Sequence, residues 1–213
     1  MGNAEMTTSE IHLCNRKELP LFTQIMCQAF NDKYPFFFKG LSEKDYIELV
    51  TTLNILSYDR FGNQSKYLLY HNGVVVGALE VYTAPRKELP FGMVLKVLKK
   101  KYRLLPAIKT ALMLFGFGPP KIFPANTLYI DKIGIREGFR RRGFGKKLLN
   151  YAFQLAREQN LSNVELEVIT TNTGAIALYK KIGFQIVGTT KTPLGRIFVG
   201  VEKYHHMHKL LGD

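Results

Sequence analysis

Residues 128–145 read LYIDKIGIREGFRRRGFG and decide the fold class of this chain. The first eight residues are typical of a β-strand, and the two closely spaced glycines at the end precede a helical pattern. Glycine lets the backbone approach a ligand closely, and the first N–H groups of a helix lack internal partners. The stretch therefore predicts a strand, a turn and a helix start that together hold an anion such as a diphosphate.

Basic side chains surround this turn, namely Arg140, Arg141, Arg142, Lys146 and Lys147. Taken alone, such a run favours a solvated charge cluster or a patch for nucleic acid. Two other glycine motifs fail on single residues. A dinucleotide fingerprint requires glycine where Leu148 stands, and a Walker phosphate loop requires Ser or Thr where Lys147 stands.

A second phrase, NTGAIALYKKIGF at 172–184, distinguishes between these interpretations, because a solvated cluster predicts nothing about it. With both phrases in order, the chain resembles the GNAT family of acyl-CoA-dependent N-acyltransferases. The family fingerprint R/Q-x-x-G-x-G/A is filled by Arg140, Gly143 and Gly145. Its second phrase is filled by Asn172, Ala175, Tyr179, Gly183 and Phe184. Glu137 stands where the family often has a proline.

The resemblance implies an α/β fold, with a mixed, mainly antiparallel twisted sheet flanked by helices on both faces. It implies acetyl-CoA as cosubstrate, and no metal is expected. The pantetheine arm is expected on the backbone of Ile133, Gly134 and Ile135, with Asn172 and Tyr179 nearby. The diphosphate is expected at the turn formed by Arg140, Arg141, Arg142, Gly143, Phe144, Gly145 and Lys146.

Two catalytic residues are expected from the same resemblance. Tyr179 stands where the family commonly places the acid that protonates the departing thiolate, and a phenol (pKa about 10) suits a thiol (pKa about 8.5). The competing interpretation is that its ring simply packs beside the cofactor. Asp131 is the first choice as general base, and a salt bridge to Lys132 or to a neighbouring arginine is the alternative.

Further carboxylates are candidates for the base, namely Glu80, Glu165 and Glu167. Residues on alternating faces of a strand cannot all reach one cleft. Water alone carries the proton in several relatives, so the residues leave open whether any carboxylate is required. Asn172 likewise has a structural interpretation, because it could cap the helix that it precedes.

Length and composition indicate a globular chain: 213 residues, 46% of them hydrophobic. We expect one acyltransferase domain over 1–213, with a basic helical insertion at about 86–123. The formal net charge is +13, and from Arg86 to Lys121 nine Lys and Arg face one Glu. The presence of only two cysteines, Cys14 and Cys27, and the lack of a secretory pattern favour the cytoplasm.

Local patterns predict the remaining elements. A strand is expected at 10–14, a helix at 19–30 with Leu21 in the core, and a helix start at Ser42. Asn72-Gly73 predicts a tight hairpin between strands 66–71 and 74–82. In the insertion, Leu95, Leu98, Tyr102 and Leu105 predict one amphipathic helix that Pro106 breaks. Strands are expected at 164–170, 184–190 and 196–201.

The acceptor amine is expected to enter over three segments of this chain: the aromatic stretch 34–38, the insertion, and the turn 192–195. Whether the acceptor is a small molecule or a peptide is left open, as is a monomer or homodimer. The alternative function is a non-catalytic CoA-binding module whose insertion binds nucleic acid, the ribosome or a membrane surface. His205, His206 and His208 favour a polar final strand over a metal centre.

Overall fold

The computed structural model describes residues 8–31, 33–63, 65–83, 87–115, 125–191 and 203–212. Within these ranges, seven strands form one sheet in the order β1-β2-β3-β4-β5-β7-β6. The strands are β1 Ser9–Leu13, β2 Lys66–His71, β3 Val74–Tyr82, β4 Thr127–Ile135, β5 Asn163–Ile169, β6 Gln185–Lys191 and β7 Lys203–Leu210. Neighbouring strands are antiparallel except β4 and β5, which are parallel.

Helices cover both faces of this sheet. They are α1 Leu19–Ala29, α2 Tyr34–Phe37, α3 Glu43–Phe61, α4 Phe91–Leu98, α5 Leu104–Leu114, α6 Phe144–Glu158 and α7 Thr173–Lys181. Leu68 packs on the α1 side and its neighbour Leu69 packs on the α6 side, as strand alternation requires. The expected mixed α/β sheet flanked by helices is confirmed.

The hairpin of β2 and β3 forms where the sequence predicts it. Asn72 and Gly73 both have positive φ, 49° and 73°, which is the conformation of a two-residue hairpin turn. Ser42 caps α3 as expected, because its hydroxyl accepts a hydrogen bond from the amide of Asp45 at 3.2 Å. Local turn and cap chemistry therefore predicted these two positions correctly.

One local prediction was wrong. Leu21 is 43% exposed, because it lies opposite the buried face of α1 formed by Leu19, Phe22 and Met26. The aromatic stretch at 34–37 forms the short helix α2. The strand that pairs with β6 is β7 at Lys203–Leu210, and it contains the three clustered histidines. The predicted strand 196–201 lies outside the described residues.

The insertion also differs from its prediction. α4 ends at Leu98, and Pro106 lies in the first turn of a second helix, α5, where its missing N–H costs nothing. Leu105 is exposed and does not belong to a buried face. A turn at 99–103 separates the helices, and Lys101 in that turn pairs with Asp45 and Glu48 of α3, both at 2.9 Å.

Candidate active site

The parallel strands β4 and β5 diverge in the middle of the sheet. Their register runs from Thr127 opposite Asn163 to Ile130 opposite Leu166, and the pairing ends there. β4 continues beside β3 as far as Ile135, so its other edge is open beyond Ile130. A cavity of ≈ 1200 Å³ lies at this opening and is lined by residues of both strands.

Backbone alternation identifies which β4 amides face the opening. The amide of Arg136 donates to the carbonyl of Val76 on β3 at 2.9 Å. Since N–H groups alternate along a strand, the amide of Gly134 also faces β3, whereas those of Ile133 and Ile135 face the open edge. Two of the three backbone positions expected to bind the pantetheine arm therefore present an N–H group to the cavity.

Gly134 contributes to the site by lacking a side chain. A Cβ atom at this position would lie 2.9 Å from Cβ of Ala29 and 3.3 Å from Cγ2 of Ile25. Real Cβ atoms do not approach so closely, so α1 packs directly on the β4 backbone only because residue 134 is glycine. This contact fixes α1 against the strand that borders the cavity.

The glycine turn leads directly into the start of α6 and leaves its first backbone amides without helical partners. Gly143 has φ of 84° and caps α6 without a side-chain hydrogen bond, and Arg141 has φ of 63°. The first helical hydrogen bond after the turn runs from the amide of Lys147 to the carbonyl of Gly143 at 3.1 Å. The amides of Phe144, Gly145 and Lys146 precede it and are available to a ligand.

The basic side chains of the turn divide into two groups. Arg140, Arg141 and Lys146 line the cavity. Arg140 also donates from Nε to the carbonyl of Ile135 at 3.2 Å, which ties the turn to the end of β4. Arg142 instead lies over the ring of Phe139, 5.5 Å from its centre, and its side chain does not line the cavity.

Phe144 also turns its side chain away from the cavity. It is buried, with its ring centre 4.9 Å from that of His71 and 6.2 Å from that of Phe139. Its expected role in cofactor binding is therefore limited to its backbone amide. At Gly145, an added Cβ would lie 3.2 Å from Cδ2 of Leu178, so α6 and α7 approach each other closely beside the turn.

Tyr179 lies on α7 and lines the cavity while only 7% of it is exposed. Its ring centre is 5.8 Å from that of Phe184, so the ring does pack in the core, as the competing interpretation proposed. Burial raises the pKa of Tyr179 to about 12. The hydroxyl is therefore protonated at neutral pH and can act only as a hydrogen-bond or proton donor or as a neutral acceptor.

Asn172 caps α7 through its side chain, whose Oδ1 accepts a hydrogen bond from the amide of Ala175 at 3.1 Å. The structural interpretation of this residue is thus correct. Asn172 also lines the cavity, so the same side chain borders the expected position of the cofactor.

Carboxylates and lysines form a paired cluster on the floor of the cavity. Glu80, 1% exposed, pairs with Lys66 at 2.9 Å and with Lys132 at 2.8 Å, and the hydroxyl of Tyr82 donates to it. Lys132 also pairs with Asp131 at 2.9 Å. The salt bridge that the sequence offered as the alternative role of Asp131 is therefore present.

A β-bulge places Asp131 in this cluster. Glu80 is opposite Lys132 and Val81 is opposite Ile130, so Asp131 is the extra residue of β4. Of the other candidate bases, Glu80 and Glu167 line the cavity, but Glu165 is not among its lining residues. Lys66 was not singled out from the sequence, because a second bulge between Leu69 and Tyr70 shifts its pairing by one residue onto Glu80.

The other end of the cavity is aromatic and apolar. Tyr34, Phe37 and Phe38 line it together with Leu114 and Phe115 of the insertion. Phe38 is fully buried and stacks on Tyr46 of α3, with ring centres 6.0 Å apart. The aromatic stretch thus both fills the core and borders the cavity. The turn 192–195, the third expected acceptor segment, lies outside the described residues.

The histidines of β7 make hydrogen bonds to the neighbouring strand. His205 pairs with Thr189 at 2.8 Å and His206 with Thr190 at 2.6 Å. Among the described residues, no group of three or more His, Cys, Asp or Glu side chains has a geometry suited to a metal ion. The same residues contain no helix long and apolar enough to cross a membrane.

A mixed sheet that opens between its parallel strands, beside a glycine turn at a helix start, is the architecture of an N-acetyltransferase domain. The chain belongs to the acetyltransferase (GNAT) family, whose model matches residues 24–184. The resemblance carried by residues 140–145 and 172–184 is therefore confirmed.

Curated proteins with related sequences act on different amines. N-alpha-acetyltransferase 50 of Danio rerio is 37% identical over 71 residues, which are 33% of this chain and 42% of that protein. L-ornithine N5-acetyltransferase NATA1 of Arabidopsis thaliana is 33% identical over 84 residues, 39% of this chain and 37% of that protein. The chain therefore matches about two fifths of the length of these relatives.

Solved structures share the fold over nearly the whole chain. The ribosomal-protein-alanine N-acetyltransferase of Brucella melitensis has a TM-score of 0.61 and 19% sequence identity, covering 95% of this chain and 99% of that one. This likeness confirms the fold and says nothing about the acceptor.

Proposed function

We propose that the protein transfers an acetyl group from acetyl-CoA directly to a primary amine. The observation that carries this proposal is the opening of β4 and β5 immediately beside the turn at Gly143. That opening offers a channel lined by strand amides, followed by helix-start amides and two arginines. A pantetheine arm followed by a diphosphate has the matching chemistry.

The residues present fit this ligand. The amides of Ile133 and Ile135 would bind the arm, and the amides of Phe144, Gly145 and Lys146 would bind the diphosphate, with Arg140 and Arg141 adding charge. We propose that Arg142 contributes only its backbone groups or the positive electrostatic potential of its charge, because its side chain packs on Phe139. We propose that Gly134 contributes by allowing α1 to pack directly on the backbone of β4.

Acetyl-CoA supplies an activated thioester, and the side chains of this chain would manage the protons. Asp131, or Glu80 or Glu167 in its place, would accept a proton as the amine nitrogen bonds to the acetyl carbon. Tyr179 would donate its proton to the sulfur as the carbon–sulfur bond breaks, and would recover it from solvent. The neutral state of Tyr179 is supported by its raised pKa of about 12.

The acceptor would enter from the aromatic end of the cavity, beside Tyr34 and Phe115. The proposal covers a small molecule or a peptide terminus, because these residues select for an apolar neighbour of the amine and not for a named compound. We also propose that 1–213 form one domain and that the protein works in a reducing compartment. The single sheet and the two buried, free thiols of Cys14 and Cys27 support these two points.

The proposal is tested by measuring thiol release from acetyl-CoA with a panel of small amines and peptides, with product mass checked for each. We expect one class of amine to gain the mass of an acetyl group. Binding of coenzyme A without thiol release for any amine would instead support the non-catalytic alternative. Absence of heat with coenzyme A in calorimetry on folded protein would contradict both.

The general base is tested with Asp131→Asn. If Asp131 accepts the proton of the amine, kcat should fall by about 10²-fold at neutral pH and recover partly at higher pH, where more of the amine is already neutral. Glu165→Gln is the matched control, since that side chain does not line the cavity. An unchanged pH profile in Asp131→Asn would show that water or another carboxylate carries the proton.

A further inference from the structure

Helix α5 has two apolar faces, and only one of them is buried. Ala107, Ala111 and Met113 pack in the core, together with Thr110. On the opposite side, Leu105 and Leu112 are 79% and 47% exposed, and Ile108 is half-buried between them. Because these three residues are spaced i, i+3 and i+7, they form one continuous apolar stripe that faces solvent.

The segment that carries this stripe is rich in cations. Residues 89–115 contain six Lys and Arg and neither Asp nor Glu. Lys101 is occupied by the carboxylates of α3, whereas the other five, Lys96, Lys99, Lys100, Arg103 and Lys109, are exposed. Lys96, Lys99 and Lys100 also line a shallow surface depression of ≈ 430 Å³ with Gly92 and Leu95.

The two helices are held firmly in this orientation. Val97 and Leu98 of α4 and Ala107 of α5 belong to the same hydrophobic cluster as Phe38 and Leu49. The hydroxyl of Tyr102 donates to the carbonyl of Lys39 at 3.1 Å, in addition to the ion pairs of Lys101. The exposed leucines therefore do not belong to a segment that would bury them by a small shift of the helix.

We propose that α4, α5 and the turn between them form a docking surface for an anionic lipid bilayer. Charge complementarity and apolar exposure together favour this occupant. A nucleic acid would attract the lysines but would leave the leucine stripe in water. A bilayer accepts both, since leucines enter the boundary between headgroups and acyl chains while lysines contact anionic headgroups. The proposal does not depend on acetyl transfer.

Docking would bring the acceptor end of the cavity to the bilayer. Leu114 and Phe115, at the end of α5, line that cavity. An amine carried by a lipid, or by a peptide at the membrane surface, would then meet the enzyme on the side where the acceptor is expected to enter.

The test is co-sedimentation of the full chain with vesicles. Vesicles of equal parts phosphatidylcholine and phosphatidylglycerol should bind the protein at low salt. Vesicles of pure phosphatidylcholine should bind it at least tenfold more weakly, because each lysine near an anionic surface raises the partition coefficient by roughly tenfold or less and several lysines act together. Leu105→Ser with Leu112→Ser should weaken binding about tenfold or more. Lys99→Glu with Lys100→Glu should weaken it by a similar factor at low salt and by less at high salt.

Matched controls separate this surface from general charge and hydrophobicity. Val187→Ser with Leu210→Ser removes two exposed apolar side chains, 58% and 65% exposed, on β6 and β7. Lys17→Glu with Lys191→Glu reverses two exposed charges outside the insertion. Both control pairs should bind vesicles about as well as the unmodified protein, and all variants should keep their unfolding midpoints.

Three outcomes would overturn the proposal. One is binding to a nucleic-acid duplex that the lysine pair abolishes while vesicle binding is absent. Another is a change of mass in light scattering when the leucine pair is replaced, because the stripe would then contact a second copy of the chain. The third is vesicle binding that the leucine pair leaves unchanged. The rate of acetyl transfer in solution should be the same in all these variants. A failure of the proposed acetyltransferase activity would therefore be distinguished from a failure of the proposed membrane docking.

Discussion

Tyr179 combines a buried ring with a hydroxyl at the cavity, and removing that hydroxyl tests its role. We expect Tyr179→Phe to lower kcat by roughly 10²- to 10⁴-fold, the usual contribution of a positioned proton donor. The KM for acetyl-CoA should change little, because the ring and its packing on Phe184 remain. Steady-state kinetics with a saturating amine measures both quantities.

The matched control is Tyr151→Phe on α6, whose ring packs against Tyr67. This substitution removes a tyrosine hydroxyl at a position that does not line the cavity, so it should leave kcat unchanged. Because burial raises the pKa of Tyr179 to about 12, its ionisation should not reduce activity until the pH approaches that value. An activity loss centred near pH 10 that is absent from Tyr179→Phe would contradict this description.

The close contact of α1 with Gly134 leads to a prediction about stability. Gly134→Ala would place Cβ within 2.9 Å of Ala29, so either α1 or β4 must move. We expect the free energy of unfolding to fall by about 1–3 kcal/mol, the usual cost of overpacking, as measured by urea denaturation. Gly138→Ala is the control, since nothing lies within 4 Å of its Cβ, and it should change stability little. Equal stability of the two variants would refute direct packing of α1 on the strand.

Among the helices and strands, α7 begins with a side-chain cap, Asn172, that also lines the cavity. Asn172→Ala should lower the free energy of unfolding by about 1 kcal/mol through loss of the hydrogen bond to Ala175. Asn172→Ser restores a capping oxygen but not the amide. If the amide also binds the pantetheine arm, Asn172→Ser should recover stability while the KM for acetyl-CoA stays raised.

Ser42→Ala on α3 provides the comparison for Asn172. It removes an equivalent cap, with its 3.2 Å hydrogen bond to Asp45, at a helix start that does not line the cavity. It should cost a similar amount of stability without changing the KM. Full recovery of the KM by Asn172→Ser would mean that the residue acts only as a cap.

The sequence predicted the elements whose determinants are local. Asn72-Gly73 determines a hairpin turn, and Ser42 and Asn172 supply caps, since each depends on a few adjacent residues. The bulges between Leu69 and Tyr70 and at Asp131 were not predicted, because hydrophobic alternation does not reveal a shift of register between strands. For this reason the pairing of Lys66 with Glu80, and the place of Asp131 beside Lys132, could be seen only in the structure.

The insertion shows a second limit of periodicity. Leu105 lies in register with the apolar positions of α4, but the chain turns at 99–103 and starts a new helix with its own buried face. Periodicity also cannot tell an apolar stripe that faces the core from one that faces solvent. The sequence therefore placed Leu105 on the apolar face of a single helix, whereas it is exposed on α5.

Across the whole molecule, the order of the strands was beyond local patterns. β7 lies between β5 and β6, and this order joins Asn163 to Leu210. Such pairing depends on the global packing of helices on both faces, and the family resemblance implied a mixed, mainly antiparallel sheet but no order of its strands. The open edge of β4, on which the proposed function rests, likewise depends on the order of the strands and not on a local pattern.

The net charge of +13 also acts on the whole molecule. Repulsion among like charges opposes the compact state, and dissolved salt screens it. We expect the free energy of unfolding, measured with uncharged urea, to rise as sodium chloride increases from low to physiological concentration. A rise produced by phosphate but not by chloride would instead indicate anion binding at the turn of Gly143, and a fall with chloride would contradict the prediction.

Residues of three separate hydrophobic clusters line the cavity. The cluster of β4, α6 and α7 includes Tyr179, whereas the cluster of α2 to α5 includes Phe38 and Leu98. If the acceptor enters beside the cluster of α2 to α5, as we propose, mutations that accumulate there can alter which amine fits while leaving the proposed thioester chemistry intact. Proteins descended from one ancestral gene could therefore change their acceptor amine by gradual mutation without passing through an inactive intermediate.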